Sequence, residues 1–107
     1  MDKITESLKI LGIKGVPQRV FIFLTEHGVS PVLNISEQIH IPKASIYDAL
    51  TELQESGLVI EYNQGRSKEY GSISEEQLRD LVKRKISDLQ SAEGVLLTLM
   101  QQKHSEK

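Results

Sequence analysis

Apolar residues recur every three or four positions through much of the chain, and the breaks in that rhythm divide it into short helices and one hairpin. Ile4, Leu8 and Leu11 mark one face of a helix over residues 2–11, which Gly12 ends. Pro17 suits the first turn of a second helix, where Val20, Phe21, Phe23 and Leu24 form a broad apolar face and Gly28 is the stop. Ser30-Pro31-Val32-Leu33 is too short for an independent strand but suits the edge of a small sheet. Asn34 reads as the N-cap of a short helix, with Glu37 as its capping-box partner and Ile35 and Ile39 facing inward. Ile41-Pro42 breaks that helix, because a residue before proline is pushed out of the helical region.

The clearest helix covers residues 43–56, with Ile46, Leu50 and Leu53 at spacings of four and three and a Ser56-Gly57 end. Residues 58–62 read as a strand, 63–68 as a polar loop containing Gly65, and 69–73 as the returning strand. Ser74 and Gln77 make a second capping-box pair, opening a helix that runs to about Lys103. Its apolar side carries Leu78, Leu81, Val82, Ile86, Leu89, Leu96 and Met100. Leu78, Val82, Leu89, Leu96 and Leu99 approach a seven-residue repeat, with Ala92 a small member and Lys85 a break. So long a stripe has two readings, a single amphipathic helix packed on its own domain or a dimerisation helix. It exceeds what a small core needs, so a second copy of the chain is the expected partner.

Two helices joined by a tight turn at Ile41-Pro42, followed by a hairpin, predict a helix-turn-helix with a wing. With three aliphatic anchors inward, Lys43, Ala44, Ser45, Tyr47, Asp48 and Thr51 lie on the outer side of the second helix. Small residues at its start allow close approach to base edges, and the helix N-terminus suits phosphate. Arg66, Ser67 and Lys68 on the hairpin are placed for backbone or minor-groove contact. The expected architecture is mostly α with a small β-hairpin: a winged helix-turn-helix over residues 1–73 and a C-terminal dimerisation helix over 74–107. The interface residues on that last helix are Leu78, Leu81, Val82, Ile86, Leu89, Leu96, Leu99 and Met100.

Composition excludes some chemistries and argues against one partner. At 38% hydrophobic and 26% charged, with no cysteine, it is that of a globular chain without disulfides, thiolate metal sites or a cysteine nucleophile. No apolar run reaches the length of a membrane span and the first residues do not read as a signal peptide, so a cytoplasmic location is expected. Charge, however, runs against nucleic acid. Thirteen Lys and Arg face 15 Asp and Glu, a net −2, where duplex-binding proteins usually carry a basic surplus. Seven basic and nine acidic residues precede Ser74, with six of each after it. Any DNA-facing surface is therefore local, with the acids on other faces.

The linked series Leu11-Gly12-Ile13, residues 41–50 (IPKASIYDAL), Leu53, Gly57-Leu58-Val59 and Gly65-Arg66-Ser67-Lys68 with Tyr70 resembles the TrmB family of regulators, over residues 3–73. The resemblance implies a winged-helix fold, duplex DNA binding and dimerisation. Longer family members carry a C-terminal sugar-binding domain for which 107 residues leave no room, so sugar sensing is not expected. Ala44 and Ser45 stand where similar proteins carry polar or basic residues, and Glu69 beside the wing cations weakens phosphate attraction. The expected function is a homodimeric, sequence-specific regulator, acting as a repressor; effector and operator stay open. The alternative is a winged-helix module that contacts protein in a transcription-related complex, which the acidic balance favours. An enzyme is not expected, since no phosphate loop, nucleophile–base pair or metal cluster occurs. His27, His40 and His104 are scattered, and no cofactor is implied.

Overall fold

A computed structural model describes residues 2–105, except for the side chains of Gln64 and of residues 103–105. The elements, in order, are α1 (Lys3–Ile10), α2 (Val16–His27), β1 (Ser30–Pro31), α3 (Val32–Ile39), α4 (Lys43–Glu55), β2 (Val59–Gln64), β3 (Ser67–Ser72) and α5 (Glu75–Ser105). They fall into two compact units, Met1–Ile73 and Ser74–Lys107. The first unit is a winged helix-turn-helix, helical with a three-stranded antiparallel sheet in the order β1-β3-β2.

Ile13, Val20, Leu24, Ile35, Ile46, Leu50, Leu53 and Leu58 are the most deeply buried large side chains of the core, each below 2% exposed. Full burial of such side chains contributes roughly 1.5–3 kcal/mol apiece before ordering costs. One polar residue is built into this interior. Gln18 is 8% exposed, and its Nε2 donates to the carbonyls of Ile13 at 2.8 Å and Thr5 at 3.2 Å. It thereby fastens α1 and the α1–α2 loop to α2, a role that helical periodicity does not announce.

Local chemistry explains where α4 stops. Gly57 adopts φ 81°, its N–H donates to Gln54 O at 3.0 Å, and the Leu58 N–H reaches Leu53 O at 2.9 Å. This Schellman arrangement satisfies the last carbonyls and seals Leu53 against Leu58.

α3 departs from expectation. It begins at Val32 with Pro31 as N-cap and no side-chain cap, so Asn34 lies inside the helix and forms no capping box with Glu37. Burial decides this. Val32 and Ile35 are both buried and sit one turn apart on one face, so the chain turns helical straight out of β1. Only Ser30–Pro31 is therefore strand, and Pro31, which has no N–H to donate, sits on the edge strand.

The end of α3 is closed by His40 in the left-handed region at φ 58°. The Ile41 N–H donates to Ser36 O at 3.2 Å and Ser36 Oγ donates to Ile41 O at 2.6 Å. Arg19 Nη2 adds a bond to Ile39 O at 2.9 Å. A residue with a Cβ is strained there by about 1 kcal/mol. His40→Gly is therefore expected to raise the thermal midpoint by a few degrees; a lowered midpoint in a calorimetric scan would contradict this.

The hairpin is tighter than its polar composition indicates. Gln64 pairs with Ser67 and Asn63 with Lys68, so the ladder runs to a two-residue tip, Gly65-Arg66. Gly65 takes φ 64° while Arg66 does not, the type II′ arrangement that wants glycine first. Ladder hydrogen bonds override the loop-like side chains, and Ser67 and Lys68 belong to β3.

The second unit is α5. Its start is the expected reciprocal box: the Ser74 N–H donates to Gln77 Oε1 at 2.8 Å and the Gln77 N–H to Ser74 Oγ at 3.1 Å. The helix spans 31 residues.

Candidate nucleic-acid interface

Ile46, Ala49, Leu50 and Leu53 occupy one side of α4 and are buried. At 100° per residue this leaves three strips facing away from the core. Lys43 and Tyr47 form the flank towards the hairpin, Ala44, Asp48 and Thr51 the crest, and Ser45 with Glu52 the flank towards α2. All of these are exposed except Ser45, which is half-buried. The first turn of α4 holds no acidic residue, and its N-cap, Pro42, offers no side-chain acceptor. The positive end of the helix is thus not neutralised from within.

Two open grooves flank the crest. The larger, about 480 Å³, is lined by Pro31, Val32, Leu33, Lys43, Tyr47, Arg66, Ser67 and Lys68. It brings together five of the residues singled out in the sequence, three of them cationic. The smaller, about 240 Å³, is lined by Val16, Pro17, Ser45, Asp48, Ala49 and Glu52. Ser45 and Asp48 therefore sit with a second carboxylate, apart from the cations. Ala44 and Thr51 lie outside both linings. Leu33, half exposed, and Pro31 are groove residues that periodicity assigned only to a sheet edge.

Strand register places another residue in this neighbourhood. Glu61 lies opposite Tyr70, and Asn63 opposite Lys68, so these four share one face of the hairpin while Tyr62 and Glu69 take the other. The carboxylate that meets Lys68 is accordingly Glu61, its Oε2 3.8 Å from Nζ, and not the neighbouring Glu69. Alternation along β2 together with the ladder register was the only signal for it.

Tyr70 is buried, at 4% exposure. Burial pushes its phenol above the ordinary value of 10.0, and the nearby charge of Glu61, a phenol–Glu61 hydrogen bond and Tyr47 act in the same direction. The folded state thus holds this proton more tightly than the unfolded one. Its contribution is complete below pH 10 and is lost as pH rises from the unfolded value through the higher folded one. Alkaline melts of Tyr70→Phe are expected to lose less stability above about pH 10 than the parent. Parallel decline of both proteins would disprove the assignment.

On α5, Leu78, Val82, Ile86, Leu89, Leu96, Leu99 and Met100 are between 37% and 71% exposed in the single chain, and Val95 and Leu97 join them; Leu81 is 8% exposed. Among the described residues no three His, Asp or Glu are grouped to hold a metal ion, and no helix is long and apolar enough to cross a membrane. His27 instead stacks on Phe23, ring centroids 4.3 Å apart. The side chain of His104 lies outside the described residues.

Comparisons with known proteins bear on the fold and the family. Among solved structures, a possible transcriptional regulator from Methanosarcina mazei superposes with TM-score 0.71 at 13% identity, over 91% of this chain and 88% of that one. A protein from the thermoacidophilic archaeon Sulfolobus tokodaii gives 0.62 at 19% identity, over 82% of this chain and 96% of the other. PKZ Zalpha, solved in complex with ds(CG)6, gives 0.53 at 22% identity, over 55% of this chain and 95% of the other. At such identities these likenesses speak for the fold. No curated protein matches the sequence. The family model described as sugar-specific transcriptional regulator TrmB, however, matches residues 8–76, a stretch that contains α2, the helix-turn-helix and the whole hairpin. The chain belongs to the TrmB family of transcriptional regulators.

Proposed function

We propose that the chain binds duplex DNA as a homodimer, with α4 in the major groove and the hairpin against the sugar-phosphate backbone. The observation that carries this reading is the open groove between the first turns of α4 and the hairpin, where Lys43, Tyr47, Arg66, Ser67 and Lys68 converge. Cations on both walls of a groove suit the spaced phosphates of a duplex, and they resolve the conflict with a net charge of −2, since only local charge matters at contact. Lys43, Arg66, Ser67 and Lys68 hold the backbone. Ala44, Ser45, Tyr47, Asp48 and Thr51 face base edges, where small side chains permit close approach. The complex of PKZ Zalpha with ds(CG)6 supports the reading, because a protein of this fold there meets a double-stranded nucleic acid.

Pairing through α5 completes the proposal. Its exposed Leu, Val, Ile and Met side chains form a stripe that a second copy buries, each Leu contributing roughly 1.5–3 kcal/mol. Residues 1–73 then act as the DNA-binding domain and 74–107 as the dimerisation helix. Two copies of α4 address two half-sites, spaced by one helical turn or a multiple of it. Occupation of a promoter by such a dimer excludes polymerase, so repression is the expected outcome.

Selection from a random duplex pool tests this directly. The recovered sequences should share a two-fold-related pair of half-sites; a pool that stays unenriched would count against sequence-specific binding.

A further inference from the structure

The hairpin face that carries Lys68 also carries an acid tied into its surroundings. Glu61 Oε2 lies 3.8 Å from Lys68 Nζ, with the Lys68 side chain 64% exposed and that of Glu61 28%. Its Oε1 accepts from Gln54 Nε2 at 3.5 Å, from the last turns of α4. Tyr70, buried on β3, stands opposite Glu61 in the ladder, and the carboxylate helps to hold its phenol proton. One side chain on β2 therefore meets α4 and two residues of β3, one of them a cation of the candidate interface. Arg66, at the tip, has no such partner among the described residues.

We propose that Glu61 is a positioning residue that holds Lys68 as an internal counter-charge and so restrains the grip of the hairpin on backbone phosphate. The inference rests on the reading under Proposed function, since it concerns how that same surface meets DNA. A phosphate oxygen reaching Lys68 must displace or share the Glu61 carboxylate and also approaches that negative charge. The Lys68 end of the pair is open to solvent and the separation is long, so the attraction is weak and the restraint lowers affinity without abolishing binding. Arg66 and Lys68, alike in formal charge, then contribute unequally: the tip acts at full charge and the strand cation at a discount.

Glu61→Gln removes the charge but keeps a side-chain oxygen that can accept from Tyr70 and Gln54. Binding of the full chain to a labelled mixed-sequence duplex is followed by fluorescence anisotropy across about 50–200 mM KCl. Glu61→Gln should bind roughly threefold to tenfold tighter than the parent, with a steeper salt dependence by up to about one unit of log–log slope. In a Lys68→Gln background that gain should shrink to less than half on a logarithmic scale. A parent that binds while Glu61→Gln binds no tighter overturns this inference alone. A gain that persists undiminished without Lys68 also overturns it, because the carboxylate would then act as a general charge. A parent that binds no duplex at all overturns the functional reading and this inference together.

Discussion

Exchange of both Lys43 and Arg66 for alanine is expected to weaken duplex binding roughly ten- to a hundredfold at physiological salt and to flatten the log–log salt dependence by roughly two units. The two side chains stand on opposite walls of one groove, Lys43 at the start of α4 and Arg66 at the hairpin tip. Each is expected to neutralise one phosphate, and removing one such neutralisation takes roughly 0.9 off the slope. Neither residue is in the core, so the folded state should be undisturbed, with the thermal midpoint within a degree or two of the parent. Affinity measured at three or more salt concentrations is the check. A large loss of affinity with an unchanged slope would mean that the two residues act through fold or base contacts and not through phosphate.

The second large effect concerns assembly. Leu89→Glu combined with Leu96→Glu places charge in the middle of the α5 stripe, where both leucines are more than half exposed in the single chain. Sedimentation should find the parent as a dimer and the variant as a monomer, because two buried leucines per chain are removed and four carboxylates would face one another across the pair. Duplex affinity should fall by about a hundredfold or more, since a lone copy of α4 addresses one half-site and forgoes the second. Residues of the first unit should keep their chemical shifts. A parent that sediments as a monomer would remove the role assigned to α5.

What the chain reveals without coordinates is what is local. The spacing of Ile46, Leu50 and Leu53 fixes which side of α4 faces inward, and Gly57 supplies its stop within one turn. The Ser74–Gln77 box likewise needs only neighbouring residues. Asn34 misleads because N-cap preference is a local tendency, while burial of Val32 and Ile35 is a tertiary demand and outweighs it. The polar run 63–68 reads as a loop because strand pairing depends on residues across the hairpin, and ladder bonds form regardless of side-chain polarity. Gln18 and Glu61 escape sequence reasoning on the same grounds. The partners of Gln18 are the carbonyls of Thr5 and Ile13, which helical period does not reveal, and those of Glu61 lie on α4 and β3, which strand alternation shows only once the ladder register is known. The surface singled out in the sequence proves divided as well. Lys43, Tyr47, Arg66, Ser67 and Lys68 share one groove, whereas Ser45 and Asp48 face another beside Glu52.

The outward side of α4, held there by its buried aliphatic anchors, is the surface proposed to meet nucleic acid. Titration of the isotopically labelled chain with a selected duplex, followed by amide chemical shifts, addresses this residue by residue. Shifts concentrated at residues 43–51 and 65–68, with α1 and the second half of α5 unmoved, are the predicted result. Shifts confined to α5 or α1, with the crest of α4 and the hairpin tip unchanged, would contradict it.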